Sequence, residues 1–593
     1  MIIFKTIAWS WDLTNFGITF NEKSQFFSDK IEKNYTFPFS TLVNEDIAEK
    51  LGLITVDGVV SYEQRIYGHL VLDYNFYDGY INIDKVKGNK AQLTIYYGKE
   101  TLKVFDKNLK TLPFPVEIVA TDLPAHAKSL LDKSWPETSH NFIKVFREDI
   151  KTESNYALFE NYLNNYIDNG GTWSFPVNTN DMIDGELTAV NRNIMVPNIY
   201  LMELLRVGFK TEGLDIKGDF VDDLINQKIV IVPENFMEQF AVSQFSKYSF
   251  SSYTLQETIN GQTISVYRKE HTPTNTGSFT LKMNINFSDA LAKYFSLTVK
   301  QNGITLYDAN SRNTSVIINK TLDITIINTN VFYDIEVEMK LTQQLANIST
   351  FNSFTYEYKE GSLNVFPVNY TLSDYLPDMK FREVINRLRS WKNLKFDYSG
   401  NAVYIDYLEN HFQNMVFKDK SHLETPEPER TLNTNNLFKL TYPDGQTVLI
   451  NKEGQTYNEN DYIESEITTI DIEVLPLPIK ERNGIVTAFY PKDTEKLMLA
   501  IYNGTVANDN IAVDHYNNEK LNLETVAEKC WKQWLKFRAN AETVEDEFYL
   551  HFSDKFDIEE AIFKYNQRLL PVGLRKSRVN DEEYKVTLTC ESL

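Results

Sequence analysis

The sequence predicts a mainly β fold with α+β parts, several domains in one chain, one of them a β-sandwich inserted into the rest. Three observations carry this. The chain has 593 residues, 42% of them hydrophobic, enough for several domains that each bury a core of their own. It holds 34 Tyr and 38 Phe against 7 Trp, the composition of half-exposed sheet faces. Apolar and polar residues alternate over many short stretches, the period of a strand, and the helical period appears at only a few places.

In chain order, RIYGHLVLDYNFY, GYINIDKV and AQLTIYYG, between Arg65 and Phe105, read as a meander with turns at Asp78-Gly79 and Lys87-Gly88-Asn89. Small antiparallel barrels are written this way, and the Pro-rich run LPFPVEIVATDLP closes the block, so residues 1–125 are expected to form an N-terminal β-barrel domain. Residues 126–235 look α+β, with an amphipathic helix and the apolar strand KIVIV. Residues 236–370 change character. SFTLKMNINF places Phe279, Leu281, Met283, Ile285 and Phe287 on one face, and DIEVEMKL does the same with Ile335, Val337, Met339 and Leu341. That rhythm predicts a β-sandwich or jelly roll, inserted because helix-and-strand units lie on both sides of it. Residues 371–490 return to α+β, and within them SHLETPEPERTLNTNN reads as a loop or linker. Residues 491–593 are expected to hold a helix, LETVAEKCWKQWLKFR, with Val526, Cys530, Trp534 and Phe537 on one stripe. A β block follows in which Tyr584, Val586, Leu588 and Cys590 alternate inward.

Two segments repeat a pattern 180 residues apart, VPNIYLMELLRVGFKTEGLDI from Val196 and LPDMKFREVINRLRSWKNLKF from Leu376. Only Pro197/Pro377, Glu203/Glu383 and Leu214/Leu394 are identical. Asn198 and Asp378 stand at one offset as candidate helix caps. Leu201, Leu204 and Leu205 match the stripe Phe381, Val384, Ile385 and Leu388, and Gly213 and Asn393 both suit a left-handed helix stop. A short strand is expected after each. Any α/β unit of this length shares some of this, but the coincidence of caps and stops favours an internal duplication.

The formal net charge of −22 argues against a phosphate-binding surface, which needs clustered Lys and Arg. Two cysteines, Cys530 and Cys590, make no disulfide framework and read as buried thiols. The first residues hold no run of signal-peptide length, and no stretch is long and apolar enough to span a bilayer, so a soluble product is expected. The sharpest catalytic motifs (HExxH, GxSxG, the phosphate-binding loop, GxGxxG) are absent, and the eight histidines are dispersed without metal-ligand spacing. Asp73, Asn75 and Gly79 suggest a calcium loop, but Tyr77 and Asp78 occupy positions that such a loop needs for a ligand and a glycine. The carboxylate pairs Asp222/Asp223 and Glu559/Glu560 are of a type used in glycoside hydrolysis, yet adjacent acids are ordinary among 82 Asp and Glu. Tyr248, Tyr253, Tyr267 and Tyr307 of the sandwich are candidate stacking faces for sugar, against the plainer reading as cross-strand or core aromatics. No residue is assigned as catalytic, cofactor-binding or metal-ligating, and no cofactor or enzyme activity is expected.

The two repeat segments, the N-terminal runs FPFSTLVNEDIAEKLGLI and YGHLVLDYNFYDGYINIDKVKGNKAQLTIYYG, and the C-terminal WKQWLKFRANAETVEDEFYLHF and EYKVTLTCESL resemble tail-tip or baseplate hub proteins of long-tailed bacteriophages, especially those of Bacteroidota phages and prophages. The likeness spans about three quarters of the chain by pattern and leaves out 236–370. It implies two barrel-type hub domains joined by helix-strand units, and a homotrimer whose six barrels match a hexameric tail tube. It also implies a place at the virion's tail tip, contacts with distal tail and tape-measure proteins, and a channel that DNA traverses without specific binding. The alternative is a tail or surface adhesin that binds host glycan through the inserted sandwich, and a glycan hydrolase ranks third.

Overall fold

A computed structural model describes the chain apart from residues 28–31, 53–64, 74, 88, 120–122, 148–166, 170–171, 175–179, 184–185, 190–192, 238–239, 250–252, 272–276, 289–294, 302, 312–314, 327–334, 342–354, 433–436, 458–466, 483–484, 492–495, 555 and 581. The chain is mainly β with α+β parts and divides into two compact units: Met1–Met237 with Val368–Leu593, and Glu238–Pro367.

The first unit is organised by one sheet of 14 strands. Along its main path run Ser10–Asp12, Ile2–Lys5, Arg65–Leu72, Asn75–Lys87, Lys90–Tyr97, Asn34–Thr36, Thr19–Lys23, Gln567–Arg578, Glu583–Ser592, Glu542–His551 and Glu429–Leu432. The β blocks from the two ends of the chain are therefore continuous, and no sheet among the described residues closes into a barrel. The reason lies in Thr19–Lys23. It pairs with Asn34–Thr36 on one side and Gln567–Arg578 on the other, so the N-terminal block keeps no free edge there with which to close on itself. The Thr19 and Ser577 hydroxyls also hydrogen-bond at 3.0 Å. Phe4, Phe20, Ile81 and Leu93 from one end share a core with Leu574, Val586, Leu588 and Cys590 from the other.

The expected turn at Asp78-Gly79 is not there. Asn75–Lys87 runs through it as one strand, and the chain reverses at Asp73, whose φ is +48°. Gly79 is needed for closeness instead, because a Cβ on it would stand 2.3 Å from the Tyr96 carbonyl oxygen. One register row gathers four tyrosines: Tyr67, Tyr80, Tyr96 and Tyr35 lie directly opposite one another on four successive strands. Neighbouring rings are 5.3, 5.1 and 6.2 Å apart, a ladder of cross-strand aromatic pairs.

The SHLETPEPERTLNTNN stretch is more ordered than a linker, since Glu429–Leu432 within it adds the last strand of the large sheet's main path by pairing with Glu542–His551. LETVAEKCWKQWLKFR is two helices, Leu523–Cys530 and Lys532–Asn540, parted at Trp531. The buried Glu409 carboxylate accepts from the Gln533 and Trp534 backbone N–H groups at 2.8 and 3.0 Å, serving N–H groups that a continuous helix would have paired internally. Val526, Cys530, Trp534 and Phe537 are nonetheless all buried.

The two repeat copies fold alike and pack on each other. Leu201–Lys210 and Phe381–Lys392 are helices that begin at the same offset, and Gly213 and Asn393 are left-handed at φ +75° and +49°. Neither expected cap forms. Asn198 sits in a strand and accepts from the Ile143 N–H at 3.3 Å, and Asp378 accepts from the Asn108 side chain at 2.6 Å. The second helix is capped by Glu383, which takes the Lys380 N–H at 2.9 Å. The strands that follow, Asp215–Lys217 and Leu394–Ser399, flank Ala402–Tyr407, one parallel and the other antiparallel to it. The equivalent strands thus run antiparallel to each other on either side of it. Gly208 of the first helix lets the Phe381 ring of the second lie against its backbone, since a Cβ there would be 2.3 Å from the ring.

The second unit holds two antiparallel sheets, Phe240–Ser249, Thr355–Val365, Gly277–Ser288, Ser315–Ile326 and Leu255–Ile259, Gln262–His271, Ile335–Leu341, Phe295–Gln301, Ile304–Ser311. Leu281 and Met283 of the expected inward face are buried; the side chains of Phe279, Ile285, Phe287, Ile335, Val337, Met339 and Leu341 lie outside the described residues.

Candidate functional site

The residues of the large sheet open a cleft of about 770 Å3 in the first unit. It is lined by Glu22, Lys23 and Gln25, by Asp73, Tyr77 and Tyr97, by residues 551–554 and 556–559, and by Phe396, Asp397 and Tyr398 of the strand Leu394–Ser399. Sequence neighbours do not build it. The first strands, a hairpin some 370 residues on and the last strands meet there because the sheet joins both chain ends.

Its deep charges are matched. Glu22 pairs with Lys576 at 2.6 Å and accepts from the Tyr97 hydroxyl at 3.0 Å. Asp73 takes the Met1 amine at 3.0 Å and also the Tyr584 hydroxyl. Gln25 sits between two carboxylates: its side chain donates to Glu100 and its backbone N–H to Glu559 at 2.9 Å. Burial pushes the Glu559 carboxyl up to about 7 against the pull of that N–H, and burial raises Glu100 as well. The Tyr398 hydroxyl is buried and has no hydrogen-bond partner among the described residues.

Of the adjacent carboxylate pairs singled out in the sequence, Glu559 is the member that reaches the cleft wall. Its neighbour Glu560 points to an ion pair with Lys418 outside it. Asp222 is exposed, and Asp223 is taken by the Tyr407 hydroxyl and Lys529, both at 2.7 Å. Asp73 serves as an anchor for the Met1 amine and Tyr584, and Asn75 is exposed. In the second unit Tyr267 is wholly buried, Tyr253 and Tyr307 are half-buried with Lys320 over the Tyr307 ring at 5.8 Å, and the Tyr248 side chain lies outside the described residues. Tyr267 is therefore core, not a sugar-stacking face. Glu100 and Tyr398 went unnoticed in the sequence, where nothing in their spacing ties them to Glu559. The same holds for Asp219 and Asp406, which join the repeat copies: Asp406 accepts from the Asp219 N–H at 2.8 Å and Asp219 from the Tyr407 N–H at 2.7 Å. Burial, with the Asp406 charge nearby, raises the Asp219 carboxyl.

No protein-family model and no curated protein matches the chain. Among solved structures it is similar to the 43 kDa tail protein of prophage MuSo2 from Shewanella oneidensis, at 8% identity and a TM-score of 0.18, covering 60% of this chain and 97% of that one. A tail protein from Neisseria meningitidis MC58 follows at 9% identity and a TM-score of 0.18, covering 55% and 96%. Infectious bursal disease virus Gx strain is similar at 8% and a TM-score of 0.14, covering 57% and 72%. Tail proteins are thus among its structural neighbours, at scores that do not establish a common fold.

Proposed function

We propose that the chain is a structural protein of a phage tail, the hub at the distal end that closes the tube and opens for DNA ejection, built as a homotrimer and held by distal tail and tape-measure proteins. The observation that supports this reading is the duplication. Two copies of one helix, left-handed stop and strand unit, both resembling hub segments in sequence, pack together in one subunit. Three subunits with two related halves each offer a sixfold tube six approximate copies of one surface. No catalysis is part of this reading.

Light scattering on a sizing column tests it. The expected mass is three times the 68.9 kDa of one chain, with decoration of tail-tube ends visible by electron microscopy. A monomer that also ignores tail tubes rules the hub out.

A further inference from the structure

We propose that Lys564 and Asp546 join in an amide bond, a covalent cross-link between two strands of the first unit. Asp546 takes an inward position on Glu542–His551, in a row with the buried Val544, Phe548 and Leu550, and Lys564 ends the strand Ile562–Lys564. The two meet as an ion pair whose side chains are only 2% and 3% exposed, against 14% and 11% for Lys576 and Glu22 in the cleft. The Lys564 amine lies 4.3 Å from the centre of the Phe548 ring and 5.1 Å from that of Tyr565.

Three features favour condensation over a lasting ion pair. Taking an ammonium and a carboxylate out of water is costly even when they pair, and an amide carries no charge. The fold also holds amine against carboxyl, which turns a bimolecular encounter into a unimolecular step, in surroundings too dry for ready hydrolysis. Third, donors are aimed at both carboxyl oxygens: the Thr425 hydroxyl at Oδ1, 2.5 Å away, and the Tyr565 hydroxyl at Oδ2, 2.8 Å away. Tyr565 stands at φ +58°, a backbone uncommon for a bulky residue, and its hydroxyl is fixed by the Thr425 N–H at 2.8 Å. In the reaction the ammonium passes one proton to Oδ2, and the freed electron pair on Nζ attacks Cγ. Thr425 meets the charge that develops on Oδ1. The Cγ–Oδ2 bond then breaks, and Oδ2 leaves as water with a second proton from the nitrogen, relayed by the Tyr565 hydroxyl. One C–N bond forms, one C–O bond breaks, and no oxidant is consumed.

The link ties Glu542–His551 to Ile562–Lys564, strands that the sheet order separates by Glu583–Ser592 and Gln567–Arg578. It is independent of the hub reading. The test is the intact mass of the purified full chain in denaturant, followed by mapping of its protease fragments. A mass one water below that of the sequence is expected, with a branched fragment that holds Lys564 and Asp546 together. Lys564→Arg keeps the positive charge but offers no amine to condense, and is expected to show its full mass. Tyr565→Phe is expected to form the link about tenfold more slowly or worse. The fragment map is read on the unaltered chain, so it decides the matter even if Lys564→Arg does not fold. A folded chain of full sequence mass, a lost water that maps elsewhere, or a water still missing in Lys564→Arg overturns the proposal.

Discussion

Single groups held away from their ordinary protonation make the stability of this protein depend on pH with two opposite slopes. Glu559 has a folded-state value of about 7 against an ordinary 4.5. Between those values the folded chain keeps a proton that the unfolded chain has released, so stability from this group is present below pH 4.5 and lost as pH rises toward 7. His140 works the other way. Burial and nearby His126 push its imidazole down to about 3 from 6.5, while it hydrogen-bonds the Tyr370 hydroxyl at 2.6 Å and Ser139 at 2.8 Å. The unfolded chain takes up that proton first, and stability falls as pH drops below 6.5. Thermal melting from pH 4 to 8 is expected to show Glu559→Gln flattening the upper slope and His140→Gln the lower. The buried pair Lys564 and Asp546 gives a sharper effect. Both side chains are almost wholly buried, with Tyr565 donating to Asp546 at 2.8 Å. Asp546→Leu strands the lysine and is expected to cost about 3–5 kcal/mol in denaturant unfolding, with Lys564→Met in the same chain recovering most of it. Glu559 stood out in the sequence only as half of an acidic pair, and His140, Asp546 and Lys564 not at all, because a side chain carries no mark of what will bury it.

At the scale of elements, what alternates or stops abruptly was legible and what depends on a distant partner was not. Tyr584, Val586, Leu588 and Cys590 point inward as their period requires, and Gly213 and Asn393 end their helices because few residue types tolerate that backbone. Asn198 and Asp378 looked like caps, yet both side chains are claimed by residues far along the chain, Ile143 and Asn108. Glu409, more than 100 residues away, decides where one apparent helix becomes two. The cleft was illegible for the same reason. The contact between repeat helices makes a direct prediction: Gly208→Ala drives a methyl into the Phe381 ring and is expected to cost about 1–3 kcal/mol, with Phe381→Leu in the same chain giving part of it back. A double-mutant cycle read by denaturant midpoints checks this, and additivity of the two changes would refute the contact.

For the whole molecule, the joined sheet is the feature the sequence pattern misjudged. Each end block alternates like a small barrel on its own, and only pairing shows that they share strands and core. A chain ended at residue 566 lacks Gln567–Arg578 and Glu583–Ser592, leaving the Thr19–Lys23 edge bare and the shared core open. It is expected to aggregate, because an exposed edge over apolar surface invites pairing with other chains; recovery of a soluble, folded product would contradict a shared sheet.

That sheet also sets a schedule. At about 5–20 residues per second, a ribosome leaves Thr19 waiting roughly half a minute or longer for Ser577, 558 positions away. The earliest strands must stay unfinished through most of synthesis, in the keeping of chaperones or of transient pairings. An incompletely translated copy never acquires the finished sheet, so assembly that reads this surface would select for full-length chains without a separate proofreading step.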